Sequence, residues 1–151
     1  FVGSASSDSF SGYRGADTVY SHNDTVDGGA GNDTLDGGAG ADQLRGGTGA
    51  DIFRFAQPVD TSVTASDQIL DFSRSDGDRI DVSLIDANVA IANDQAFVLA
   101  AGAFSQVAGQ ISISTAGTTH TVVFDVNGNG TADFRILVTS TTTLTAADFI
   151  L

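Results

Sequence analysis

The chain has 151 residues, about the length of one ordinary domain, and carries a formal net charge of −13 with a pI near 4.1. An acidic excess of that size argues against nucleic acid or an anionic membrane surface as a direct partner. Cysteine is absent, which excludes disulfides and thiolate metal sites, and no apolar run is long enough to span a bilayer.

All 19 acidic residues are Asp and all 6 basic residues are Arg. A chain kept soluble by charge alone would draw on Glu and Lys as well. Asp holds its carboxylate close to the backbone of a tight loop, as an oxygen cage for a hard cation requires. With 18 Gly, a single Pro and abundant Ser, Thr and Val, turns and strands are favoured over helices. The chain opens on Phe1 without the basic-then-apolar layout of a secretory signal, so it is expected to be a piece of a longer protein whose N-terminal part lies elsewhere.

Residues 3–11 (GSASSDSFS) and 12–20 (GYRGADTVY) are decayed copies of one nine-residue pattern, keeping Asp8 and Phe10 in the first and Gly12, Gly15, Asp17 and Val19 in the second. Residues 21–27 (SHNDTVD) are two residues short but still place Asp24 and Val26 correctly. Residues 28–54 then read GGAGNDTLD, GGAGADQLR and GGTGADIFR, three unbroken copies of G-G-x-G-x-D-x-U-x in which U is a large apolar residue. The Asp column is thus Asp8, Asp17, Asp24, Asp33, Asp42 and Asp51, and the apolar column is Phe10, Val19, Val26, Leu35, Leu44 and Phe53.

Each nonapeptide reads as a six-residue loop followed by a three-residue strand, x-U-x, whose alternation sends U to one face. So short a strand needs stacked neighbours to bury U. If two units make one coil, loops on one side recur every 18 residues, putting Asp33 beneath Asp51 and Asp24 beneath Asp42. Carboxylates one strand spacing apart, about 4.8 Å, repel by ~1 kcal/mol in water and roughly 3–4 kcal/mol at an effective dielectric near 20. Burying one U side chain gains only ~1.5–3 kcal/mol. A divalent cation between the loops reverses the sign of the Asp–Asp interaction, and the loop glycines let backbone carbonyls turn inward to it.

The pattern stops after Phe55, and residues 56–64 (AQPVDTSVT) mark a boundary. The following acidic stretch, 67–86, offers Ile69, Phe72, Ile80, Val82, Leu84 and Ile85 to a core, and Ser83 with Asp86 forms a candidate cap for a short helical turn. Strands are expected over 97–99, 110–114, 121–126 and 133–138, with Asn127-Gly-Asn-Gly130 as a hairpin signal between the last two. Asp125, Asn127, Asn129 and Asp133 also resemble the opening of an EF-hand loop, without the Glu at its twelfth position and without flanking helices. This segment is either a turn-bound calcium site or a plain hairpin turn. The two histidines, His22 and His120, each stand alone and nothing reads H-E-x-x-H, so neither zinc nor a nucleophilic triad is expected, and the chain itself is expected to lack enzymatic activity.

The nonapeptides are similar to the calcium-binding repeats of RTX proteins. Together with GADIFRF (49–55), Asp60-Ser followed by Asp67-x-Ile-x-Asp-Phe72, DRIDVSLID (78–86), DVNGNGTADF (125–134) and Asp148-Phe-Ile-Leu151, the chain resembles the C-terminal RTX domain of serralysin-type secreted metallopeptidases. That resemblance implies an all-β fold, a parallel β-roll over 1–55 continuing into a C-terminal β-sandwich over 56–151, with several calcium ions in rows between loops. It implies that Gly28, Gly29, Gly31 and Asp33 face Gly46, Gly47, Gly49 and Asp51. Gly37, Gly38, Gly40 and Asp42 would be closed on the far side by Asp60 and Asp67. It also implies secretion from a bacterial cell through a type I ABC export machinery that reads an uncleaved signal at Asp148, Phe149, Ile150 and Leu151.

The expected function is therefore a non-catalytic, calcium-dependent folding and secretion domain. It would be monomeric and joined to the N-terminal domain of a parent protein that is itself a metallopeptidase or another secreted enzyme. The alternative is a carbohydrate-binding or adhesive RTX module like those of alginate epimerases, for which Arg14, Arg45 and Arg54 are few to make a basic stripe.

Overall fold

The computed structural model of the protein describes residues 9–11, 23–58 and 61–151. Asp8, Gly12, Gly15, Asp17 and Asp60 lie outside the described residues. The x-U-x segments form β1 (Ser9–Ser11), β2 (Thr25–Asp27), β3 (Thr34–Asp36), β4 (Gln43–Arg45) and β5 (Ile52–Arg54). Two more three-residue strands follow beyond the repeats, β6 (Asp67–Ile69) and β7 (Arg79–Asp81). The rest comprises β8 (Val98–Leu99), β9 (Gln110–Ala116), β10 (Thr119–Asp125), β11 (Phe134–Thr139), a 3-10 turn at Ala146–Asp148, and β12 (Phe149–Ile150).

Successive repeat strands go to opposite sheets. One sheet has the order β1-β3-β5-β7-β12 and the other β2-β4-β6-β11-β10-β9-β8. Every pairing within the roll is parallel: Leu35 pairs with Phe53 and Val26 with Leu44, each 18 residues on, as two nonapeptides per coil require. Beyond the perfect repeats the coil lengthens, so that Leu44 pairs with Ile69 and Phe53 with Ile80, 25 and 27 residues on. The second sheet then continues through β11, parallel to β6, into the antiparallel strands β10 and β9. The first sheet ends on β12, parallel to β7.

The U residues Val26, Leu35, Leu44 and Phe53 are buried and form one core with Ile69, Ile80, Val122, Phe124, Phe134, Ile136, Val138 and Phe149. The roll therefore shares its interior with the sandwich. At the sandwich end, Phe124 and Phe134 stack with centroids 4.2 Å apart, and Phe97 meets Phe124 edge-on at 5.3 Å. No helix forms at Ser83 and Asp86: the Ser83 N–H and hydroxyl both donate to Asp81 Oδ1, and the chain makes one hydrogen-bonded turn, from the Ile85 N–H to the Val82 carbonyl (3.0 Å), that does not continue. Among the described residues, the helical segment lies instead at Ala146–Asp148.

Candidate metal centre

One hydrogen-bonding unit recurs four times along the Asp columns. The Asp33 N–H donates to Asp51 Oδ1 (2.9 Å), while the Asp33 carbonyl accepts from the N–H of Ile52, the residue after that Asp (2.8 Å). The same two bonds link Asp24 to Asp42 and Gln43, Asp42 to Asp67 and Gln68, and Asp51 to Asp78 and Arg79. Asp24, Asp33, Asp42 and Asp51 thus stack as the 18-residue coil demands. Asp67 stands over Asp42, where the resemblance places it.

The sequence reading missed Asp78 and Asp71. Asp78 caps the Asp51 end of its column and also accepts the Ser73 N–H through Oδ2 (2.8 Å). Asp71 accepts the N–H groups of Gly46 and Gly47 at 3.0 and 3.1 Å, taking the place that a backbone carbonyl, Arg45 O, holds over Gly28 in the preceding coil. Asp78 lies three nonapeptides after Asp51, so the nine-residue grid carried across the break would have reached it.

The glycines are set by the carboxylates. A Cβ on Gly28 would lie 2.5 Å from Asp33 Oδ2 and 2.7 Å from the Gly46 carbonyl oxygen, and Gly37 and Gly46 meet the Oδ2 atoms of Asp42 and Asp51 still more closely. Gly47 adopts φ +96°, and a Cβ there would overlap the Gly29 carbonyl. The loops therefore fold their first glycine directly over their own Asp.

Asp51 is 1% exposed, and its Oδ2 has no hydrogen-bond partner. Burial raises the Asp51 pKa; the Asp33 N–H opposes the rise, and the charges of Asp33, Asp71 and Asp76 add to it. Burial likewise pushes Asp78 up to about 6, opposed by the N–H groups of Ser73 and Asp51 and reinforced by the Asp51 and Asp71 carboxylates. A buried, glycine-walled group of like charges with an unsatisfied oxygen fits a hard divalent cation, which relieves both the desolvation and the repulsion. Among the described residues no three His or acidic side chains converge as a metal cage. A cation here would draw on single carboxylates from successive coils together with main-chain oxygens.

The Asp125–Asp133 loop joins β10 to β11 and is built differently. Asp125 is buried and accepts N–H bonds from Asn127, Gly128 and Gly130, while Asp133 accepts from the Val126 N–H and from the Asn127 side-chain amide. The side-chain oxygens of Asn127 and Asn129 accept the N–H groups of Asn129 and Thr131. These oxygens serve the backbone of their own hairpin.

The C-terminal residues are folded in. Asp148 is 1% exposed; it accepts from Arg74 Nε (2.6 Å) and Nη2 and from the Thr145 N–H (2.6 Å). Burial alone would raise its pKa, but the bonds from Arg74 and Thr145 outweigh it and hold the carboxyl below its usual value. Phe149 is buried, Ile150 half-buried and Leu151 exposed.

A parallel roll of carboxylate-bearing glycine loops continuing into a β-sandwich presents stacked sites suited to a divalent cation. The family model for the peptidase M10 serralysin C terminal matches residues 16–151, and the chain belongs to that family. The model of the RTX calcium-binding nonapeptide repeat, four copies, matches residues 1–22. Two solved structures are similar, both subunits of the Azotobacter vinelandii mannuronan C5-epimerase in solution. The AlgE6R2 subunit has 29% identity and a TM-score of 0.60, over 85% of this chain and 76% of its own. The AlgE6R3 subunit has 31% identity and a TM-score of 0.53, over 99% and 80%. No curated protein matches the chain.

Proposed function

We propose that the chain is the calcium-dependent folding and export module of a larger secreted bacterial protein, non-catalytic in itself. Residues 1–55 serve as the metal-loaded roll and 56–151 as the sandwich that closes it. Calcium is held between stacked loops by Asp33 and Asp51 on one side and by Asp24, Asp42 and Asp67 on the other, with main-chain oxygens of the glycine segments 28–31, 37–40 and 46–49. Asp8, Gly12, Gly15 and Asp17 extend the array upstream, and Asp60 contributes with Asp67 to its closure. The observation that carries this reading is Asp51 Oδ2, buried without a partner inside a loop whose Gly46, Gly47 and Gly49 have no room for a Cβ.

A bound divalent cation supplies the positive charge that lets these carboxylates lie one coil apart. In a calcium-poor cytosol the chain stays unfolded and passes a type I ABC export machinery that reads Asp148–Leu151. Outside, at the roughly 10⁻⁴–10⁻³ M affinities of extracellular calcium modules, it folds and supports the parent's N-terminal domain. The test is far-UV circular dichroism with calcium and after chelation. A strand signal that grows with calcium supports the reading, and one unchanged by metal removal overturns it.

The two epimerase subunits favour a second reading, a carbohydrate-binding or adhesive module. Against it, Arg54 is engaged by Asp81 at 3.4 Å, which leaves Arg45 as the exposed cation among the described repeat residues. A glycan screen in calcium that returns a saturable ligand would select this second reading.

A further inference from the structure

Asn127-Gly128 and Asn129-Gly130 are the two Asn-Gly pairs of the chain, and both asparagines stand exposed in the turn between β10 and β11. An Asn followed by Gly is where a backbone nitrogen most readily attacks a side-chain amide, because glycine has no Cβ to obstruct the approach. The chemistry of the two pairs can be compared within one turn.

Their attacking nitrogens are matched. The Gly128 N–H donates to Asp125 Oδ1 (2.7 Å) and the Gly130 N–H to Asp125 Oδ2 (2.9 Å), and the two glycines hold similar left-handed φ angles, +72° and +79°. Their amides differ. Asn127 is tied at both ends: its Oδ1 accepts the Asn129 N–H (3.0 Å) and its Nδ2 donates to Asp133 Oδ1. Asn129 Oδ1 accepts two donors from one residue, the Thr131 N–H (2.7 Å) and hydroxyl (2.5 Å), while its Nδ2 has no partner among the described residues. The Asn129 carbonyl is thus polarised where negative charge develops during attack, and its leaving nitrogen is unheld.

We infer that Asn129 is a site of self-deamidation, with the Thr131 N–H and hydroxyl stabilising the oxyanion, and that Asp133 protects Asn127 from the same fate. The Gly130 nitrogen gives up its proton to solvent base and bonds to Asn129 Cγ. The Cγ–Nδ2 bond then breaks and ammonia leaves, closing a cyclic imide. Water adds to one or other imide carbonyl, leaving an aspartyl residue or an isoaspartyl linkage at position 129. The sum is one water consumed and one ammonia released, with no oxidant or cofactor.

Each conversion places a new carboxylate in the turn that holds Asp125 and Asp133, and the isoaspartyl product also lengthens the main chain there. That turn is anchored by the Asp133 N–H on the Phe124 carbonyl (2.8 Å) and by the stacked Phe124–Phe134 pair. The sandwich therefore carries an ageing site whose chemistry is independent of the metal reading.

The test is peptide mapping by mass spectrometry after the full chain is incubated in calcium at mildly alkaline pH. Cleavage after Arg79 and Arg135 releases both pairs on one peptide, 80–135, whose fragments assign the mass gain to Asn127 or Asn129. In the folded chain Asn129 is expected to convert at least about fivefold faster than Asn127, and in denaturant the two rates should converge. Thr131→Val keeps the N–H and removes the hydroxyl, and should slow Asn129 about fivefold while leaving Asn127 unchanged. Asp133→Ala, with its fold checked by circular dichroism, should speed Asn127 towards the rate of Asn129. Equal rates at the two sites in the folded chain, faster conversion of Asn127, or no conversion of Asn129 would overturn the inference. So would a ratio that persists in denaturant, a Thr131→Val chain that converts at the parent rate, or a folded Asp133→Ala chain whose Asn127 stays slow.

Discussion

Asp78 stands over Asp51 as Asp51 stands over Asp33: in each pair the lower N–H donates to the upper Oδ1, at 3.0 and 2.9 Å, and the lower carbonyl accepts the next N–H of the upper coil. The column thus runs one carboxylate beyond the last nonapeptide, across a coil of 27 residues in place of 18. Asp78→Ala strips a buried acceptor from the N–H groups of Asp51 and Ser73, which costs about 2 kcal/mol in the calcium-loaded chain. A calcium titration followed by circular dichroism should show the folding midpoint moved to higher calcium. An unchanged midpoint would remove Asp78 from the column.

Glycine at the head of each loop is set by space. Gly46→Ala drives a methyl group into Asp51 Oδ2, whereas a Cβ on Gly102 meets nothing within 4 Å. Gly46→Ala is therefore expected to lose calcium-induced folding at concentrations that fold the parent chain. Gly102→Ala should stay within about 0.5 kcal/mol of it. Equal responses in thermal melts of the two variants would contradict the loop geometry.

The metal-free chain should respond to acid in an unusual direction. Asp78 is pushed up to about 6 from 3.8, chiefly by burial, so the folded form binds its proton more tightly than the unfolded form. Its contribution to stability is present below the unfolded value and is lost as pH rises through about 6. Asp51 is raised in the same direction. Asp148 is lowered, so its contribution is present above 3.8 and disappears as pH falls through its folded value. Far-UV circular dichroism on chain freed of calcium should show more strand at pH 5 than at pH 7.5, and less again below pH 4. Asp78→Asn should flatten the rise between pH 5 and 7.5, and a rise of undiminished size would contradict this assignment.

The period of nine made the roll legible: it places β2 to β5, turns Val26, Leu35, Leu44 and Phe53 inward, and sets the 18-residue register. The strands over 110–114, 121–126 and 133–138 were legible from alternation, and the hairpin between the last two from Asn127-Gly-Asn-Gly130. What local pattern could not supply is partnership at long range. Nothing near Asp67 or Ile136 announces that β6 and β11 pair in parallel, because that register is fixed by the shared core. Asp71 escaped notice because its role is to replace a backbone carbonyl, which leaves no periodic trace. The strand at Phe149–Ile150 was not legible, since two residues carry no alternation to read.

The central claim is that cations lie between the stacked Asp loops, and anomalous diffraction from crystals grown in calcium tests it most directly. The account predicts peaks between the loops ending at Asp33 and Asp51, and between those ending at Asp24 and Asp42 and at Asp42 and Asp67. A well-ordered roll without a peak in any of those gaps would contradict it.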